Sequence, residues 1–105
     1  MRWPLFRVAV AESSMEPTLH PGDWLLVLAT GRIRAGQIVV AWHPARTSLL
    51  LVKRAERLDP GGWWLQSDSR SGAAQDSRAF GPVPPELIQG RVLCRYRRVR
   101  RPARE

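Results

Sequence analysis

The feature of this sequence that most limits its fold is the frequent interruption of its apolar segments by glycine and proline. Gly31, Gly36, Pro44 and residues 60–62 separate apolar runs of only a few residues. No window of about 11 residues or more has the apolar spacing of a helix with one buried face. The sequence therefore predicts a mostly β protein. Its strands are expected in five runs: residues 24–28, 37–42, 48–53, 63–66 and 91–96.

The length and composition predict one domain without a membrane anchor. A chain of 105 residues, 44% of them hydrophobic, suits a single small core. Its longest apolar stretches, residues 24–29 and 49–52, are far shorter than the roughly 20 residues of a spanning helix. Arg7 splits the apolar N-terminal segment, so we read no signal peptide. Cys94, the single cysteine, excludes an internal disulfide and indicates no metal cluster. We expect a cytoplasmic protein without a cofactor.

The positive charge is concentrated at one end of the sequence. The net charge is +8, and residues 91–105 hold seven arginines against one acid, Glu105. Such a segment attracts anionic surfaces without reading any sequence. We expect a domain over residues 1–96 and a basic, flexible tail over residues 97–105. Contact of this tail with a membrane surface stays open.

The choice of basic residues singles out Lys53. The chain contains sixteen arginines and only this one lysine. It ends an apolar run in which period-two alternation puts its side chain on the face of Leu49 and Leu51. Arginine keeps its proton near neutral pH, whereas a desolvated lysine can lose it and act as a base. The alternative is a lysine that extends from a strand end into solvent.

A second candidate group lies in a short turn. Ser13 and Ser14 precede Pro17, whose fixed φ favours a tight bend. The alternative is an ordinary surface turn. His20 and His43 each precede a proline and are expected to be surface or capping residues rather than bases. A serine–lysine pair is therefore the leading arrangement of nucleophile and base.

Taken together, these segments resemble the motifs of type I signal peptidases, in the family's order. The resemblance covers residues 11–96. The nucleophile motif is residues 13–19 with 21–23, the lysine motif is residues 52–54 with 58–61, and the third motif is residues 68–70 with 75–83, followed by the Ile-x-Gly-Arg pattern at 88–91.

The resemblance implies a compact catalytic core of twisted antiparallel sheets and a role for each matched residue. Ser14 is the expected nucleophile, and its backbone N–H is one donor of the oxyanion hole. Lys53 is the expected general base. Asp76 and Arg78 are expected to form a structural ion pair that holds the third motif beside the lysine. Met15 is expected to pack in the substrate cleft.

Three positions depart from the family pattern. Glu12 stands where the family has a hydroxyl donor for the oxyanion, and an ionised carboxylate there would repel an oxyanion. Ala74 stands where a serine commonly contacts the lysine. Ser67 replaces a glycine of the third motif. The sequence therefore leaves open what replaces the lost hydroxyl groups.

Within the family, the chain is most similar to the maturation proteases of nickel-type superoxide dismutase. This resemblance implies removal of an N-terminal leader from the dismutase precursor. The alternatives are a general leader-processing peptidase at a membrane surface and a non-catalytic nucleic-acid-binding module, although no specific nucleic acid is expected. LexA-type autoproteases share the serine–lysine pair, but the third motif fits signal peptidases better. We expect a substrate peptide to bind as an added strand beside residues 23–28 or the strand with Lys53.

Overall fold

The computed structural model describes residues 4–46, 48–69 and 75–98, which form one six-stranded sheet. The elements are β1 (Leu5–Ala9), β2 (Asp23–Leu28), β3 (Ile38–Trp42), β4 (Leu50–Asp59), β5 (Gly62–Gln66), the short helix α1 (Ser77–Phe80), a 3-10 turn (Pro85–Leu87) and β6 (Ile88–Arg98). The order across the sheet is β1-β2-β6-β3-β4-β5, and all neighbours are antiparallel. The predicted mostly β fold is confirmed.

Four of the five predicted strands are longer than their apolar runs, and the structure has one further strand. β1 was not among the predicted strands. β4 continues past Lys53 to Asp59, and β6 extends to Arg98, two residues into the segment expected to be a tail. The remaining tail residues, 99–105, lie outside the described residues.

The core consists of two clusters, one on each face of the sheet, and β3 contributes to both. Val39 and Val40 are both fully buried, and adjacent strand residues point to opposite faces. Val40 packs in a first cluster with Val8, Val10, Met15, Leu19, Leu25 and Val27. Val39 packs in a second cluster with Ala41, Ala55, Trp63, Leu65, Val83 and Ile88. β4, which carries Lys53, therefore pairs with a strand that is buried on both faces.

The hairpin of β4 and β5 contains a bulge that aligns the two strands near Lys53. The pairing begins at Asp59 and Gly62, and it shifts register at Glu56. Beyond the shift, Arg54 pairs with Gln66, so the next residue along β5, Ser67, comes level with Lys53. Without the bulge, Asp68 would occupy that level.

The described residues contain no helix with the length and apolar character needed to cross a membrane.

Candidate active site

The turn that carries Ser14 is fixed by buried neighbours. Met15 and Leu19 are buried in the first core cluster, and the Leu19 N–H donates to the Met15 carbonyl at 2.8 Å. The Glu16 N–H donates to the Ser13 carbonyl at 3.1 Å. Ser14 itself is half-buried. Its side chain therefore lies on a preformed bend that another molecule can reach.

Lys53 is buried on β4, where its amine meets two hydroxyl groups. The residue is only 1% exposed and shares its face with Leu51 and Ala55, as the alternation predicts. Lys53 Nζ lies 2.8 Å from Ser14 Oγ and 3.2 Å from Ser67 Oγ. The fold thus brings the two candidate reactive groups, 39 positions apart in the sequence, into hydrogen-bond contact.

The surroundings of Lys53 lower the pKa of its amine. Burial lowers the pKa of the Lys53 amine from its ordinary 10.5, because the ammonium ion loses hydration inside the protein. The carboxylates of Glu12 and Asp76 oppose this by attracting the charged form, and burial is the larger effect. A neutral amine can take a proton from a hydroxyl within hydrogen-bond distance.

Asp76 holds the backbone of Ser67, whose hydroxyl contacts Lys53. Its fully buried carboxylate accepts the Ser67 N–H at 2.9 Å, and the Arg78 N–H and guanidinium, each at 3.0 Å. Burial raises the pKa of Asp76, but these hydrogen bonds outweigh it, and the net pKa lies below 3.8. Asp76 also caps the N-terminus of α1. The Asp76–Arg78 ion pair expected from the resemblance is present, and it orders the backbone that bears Ser67.

A second ion pair joins the three motifs next to the reactive groups. The Arg54 guanidinium donates twice to the Asp68 carboxylate, at 2.9 and 2.6 Å, and the Thr18 hydroxyl donates to the same carboxylate at 2.6 Å. Each of these residues lies close in sequence to a candidate reactive or supporting residue. The Ser69 N–H adds a bond of 2.9 Å to the Ser14 carbonyl. Together these contacts fix the distances among the motifs.

A groove leads to the two reactive groups. Its walls are residues 8–12 and residues 49–53, and Ser14 and Met15 complete the lining. In the described part of the chain, β1 pairs only with β2, and β4 pairs with β5 only from Arg54 onward. Both walls therefore present strand edges that can accept hydrogen bonds from an extended peptide. The predicted alternative beside residues 23–28 is wrong, because β2 is paired on both sides, with β1 and β6.

The two histidines make local contacts away from the reactive groups. His43 is buried, and its Nδ1 accepts the Ala45 and Arg46 N–H groups at 3.0 and 3.1 Å. His20 Nδ1 lies 3.3 Å from the Glu16 carboxylate at a half-exposed position. Neither histidine lines the groove. Within the described residues, no cluster of three or more His, Cys, Asp or Glu side chains could hold a metal ion.

Sequence reasoning missed the contact of Ser67 with the lysine. Ala74, where the resemblance leads one to expect a serine, lies outside the described residues. Ser67, noted only as a replacement for glycine, is 7% exposed and supplies a hydroxyl to Lys53. The signal in the sequence was a serine just beyond the predicted strand 63–66, but its alignment depends on the bulge at Glu56.

The chain is similar to known peptidases. A family model described as Peptidase S24-like matches residues 3–85, which include Ser14 and Lys53. Mitochondrial inner membrane protease subunit 1 of Xenopus tropicalis is 33% identical over 78% of this chain and 63% of its own length. Mitochondrial ATP-independent inner membrane protease subunit 1a of Arabidopsis thaliana is 34% identical over 78% of this chain and 64% of its own. The chain thus spans just under two thirds of the length of these relatives.

Proposed function

We propose, from the premise that the chain belongs to the Peptidase S24-like family, that it is a serine endopeptidase with a Ser14–Lys53 dyad. The observation that carries the proposal is the 2.8 Å contact between Lys53 Nζ and Ser14 Oγ. The lowered pKa of the buried amine and the adjoining open groove support it. Acyl transfer to a serine needs a nucleophile, a base and a groove through which the substrate peptide reaches them.

The proposed reaction proceeds in two acyl-transfer steps. Neutral Lys53 takes the proton of Ser14 Oγ. The Oγ atom attacks the scissile carbonyl carbon, and a tetrahedral oxyanion forms. The Ser14 backbone N–H donates to that oxyanion. Lys53 then gives its proton to the leaving amine, and the acyl-enzyme forms. A water molecule, deprotonated by Lys53, releases the acid and regenerates Ser14 Oγ–H.

The proposed substrate is the extended N-terminal leader of a cytoplasmic precursor protein. A leader can lie between the two strand edges of the groove and reach Ser14 without unfolding the protein behind it. The motif resemblance makes the precursor of nickel-type superoxide dismutase the first substrate to test. The second candidate is a precursor presented at a membrane surface, which the names of the inner membrane protease relatives and the arginines of residues 91–105 favour.

The experiment is co-expression of the dismutase precursor with the wild-type chain or with Ser14→Ala, followed by intact-mass measurement of the dismutase. Loss of a leader with the wild type alone supports both the peptidase and the substrate. If a folded wild type leaves this precursor intact but cuts other peptides in a Ser14-dependent way, the substrate is wrong. The absence of any Ser14-dependent cleavage contradicts the peptidase, and salt-sensitive nucleic-acid binding by both chains would then favour a binding module.

The pH dependence of cleavage follows from the direction of the Lys53 pKa. The base form is the neutral amine, so kcat/KM rises with pH as Lys53 loses its proton. Because burial lowers this pKa, the midpoint lies below 10.5. Rates on a cleavable peptide between about pH 6 and pH 10 measure it. A rate that falls as the pH rises over this range in a folded protein would contradict a neutral lysine base.

Ser67→Ala is expected to slow cleavage by about tenfold to a hundredfold, because the Lys53 amine loses one of its two hydroxyl partners. The backbone bond from the Ser67 N–H to Asp76 is kept, so the fold is expected to survive. The readouts are kcat, the midpoint of the pH profile and thermal unfolding. Ser67→Thr keeps the hydroxyl and should restore most of the rate. Full activity in Ser67→Ala would refute this positioning role.

A further inference from the structure

We infer that Glu12 selects substrates that carry a positively charged side chain next to the scissile bond. This inference rests on the proposed peptidase function and names its substrate class. Glu12 lines the same groove as Ser14 and Lys53 and lies only two residues before the nucleophile. A substrate peptide bound at Ser14 therefore lies in a groove that Glu12 helps to line.

Glu12 brings a negative charge into the groove. Apart from Lys53, it is the one ionisable side chain among the described lining residues. Glu12 is exposed, and it makes no hydrogen bond or ion pair with any other residue in the described ranges. Lys53, which is neutral when it acts as the base, does not balance the carboxylate. A cationic substrate side chain would do so.

The position of Glu12 links that attraction to the reaction rate. Because Glu12 is exposed, water screens its attraction for a substrate cation, so the expected preference is modest. Glu12 also interacts electrostatically with Lys53, which indicates that its charge is felt at the reacting atoms. A bound cation would offset the repulsion between Glu12 and the developing oxyanion. The preference is therefore expected in kcat as well as in KM.

The inference also predicts a change in the pH profile, because the charged groups near Lys53 shift the pKa of its amine. Glu12, from the segment after β1, and Asp76, from the start of α1, both raise the pKa of the amine, while burial lowers it. Glu12→Gln removes one of the two carboxylates. The midpoint of its pH profile on a neutral peptide should lie below that of the wild type.

The test is cleavage-site profiling on a peptide library made by chymotryptic digestion of a proteome, which leaves internal Lys, Arg, Asp and Glu in place. Ser14→Ala supplies the background. We expect Lys and Arg to be enriched by about fivefold at one position flanking the wild-type cuts. The enrichment should vanish in Glu12→Gln and reverse toward Asp and Glu in Glu12→Arg. Glu86→Gln, an exposed carboxylate outside the groove, should keep it.

A pair of synthetic peptides then gives the size of the effect. Two peptides that differ only by Lys or norleucine at the enriched position should differ by about fivefold in kcat/KM with the wild type and be equal with Glu12→Gln. Ser14-dependent cuts without charge enrichment, or an enrichment that survives Glu12→Gln, would overturn the inference and leave the peptidase standing. A folded wild type that makes no Ser14-dependent cut would overturn both.

Discussion

Lys53→Arg is expected to reduce peptide cleavage by about 10⁴-fold or more, to the level of Ser14→Ala. Arginine cannot give up its proton near neutral pH, so it cannot accept one from Ser14 Oγ. Its larger guanidinium would also replace a buried amine that meets two hydroxyl groups at 2.8 and 3.2 Å, which changes the geometry of both contacts. The measurement is kcat/KM on a peptide that the wild type cuts.

Lys53→Met is the second variant in this experiment, because burying a permanent charge in Lys53→Arg can lower the stability of the fold. Methionine fills a similar volume without a charge, and the variant should be at least as stable as the wild type. It should also be inactive, since it has no base. Ser14-dependent cleavage by either variant would refute the proposal that a neutral Lys53 amine is the base.

Asp76→Ala is expected to lower the free energy of unfolding by about 2–4 kcal/mol. The change leaves the Ser67 N–H without its acceptor in a buried place and removes the cap of α1. It should also slow cleavage by about a hundredfold, because the backbone that holds Ser67 beside Lys53 loses its support. Urea denaturation and kcat on the same peptide measure the two effects.

The pH dependence of this loss identifies its cause. The folded-state pKa of Asp76 lies below 3.8, so the folded state binds fewer protons there than the unfolded state. The contribution of Asp76 to stability is therefore present above 3.8 and disappears as the pH falls through the folded-state pKa. The difference between wild type and Asp76→Ala should shrink over the same range. Asp59→Ala, which removes an ion pair with Arg57 at the surface, is the matched control and should change stability little. An equal loss from both variants would contradict the supporting role of Asp76.

The sequence predicted those features that depend on local pattern. Turn residues delimited five strands, and alternation gave the face on which Lys53 lies. The motif order predicted Ser14 and Lys53 as the reactive residues, and this assignment stays a prediction. The strand and face predictions hold because side-chain spacing in a strand and turns at glycine and proline are properties of short segments.

The features that the sequence did not predict arise from pairing between distant segments. β1 contains Arg7 and has no clear apolar pattern; its pairing with β2 makes it a strand, and Arg7 lies over the Trp24 ring at 5.5 Å. The charged second half of β4 is a strand because the hairpin pairs it with β5. The contact of Ser67 with Lys53 depends on one bulged residue, Glu56. A bulge is a property of two strands together, and neither strand reveals it alone.

The burial of Lys53 also provides a reporter for motions of the fold. Because the chain has no other lysine, an endoproteinase that cuts only after lysine has a single target, and that target is 1% exposed. Such a cut requires β4 to separate from its neighbours, so its rate follows the population of molecules in which the reactive centre has opened. The rate at which the two fragments of this single cut appear on a gel would thus measure how often the reactive centre opens.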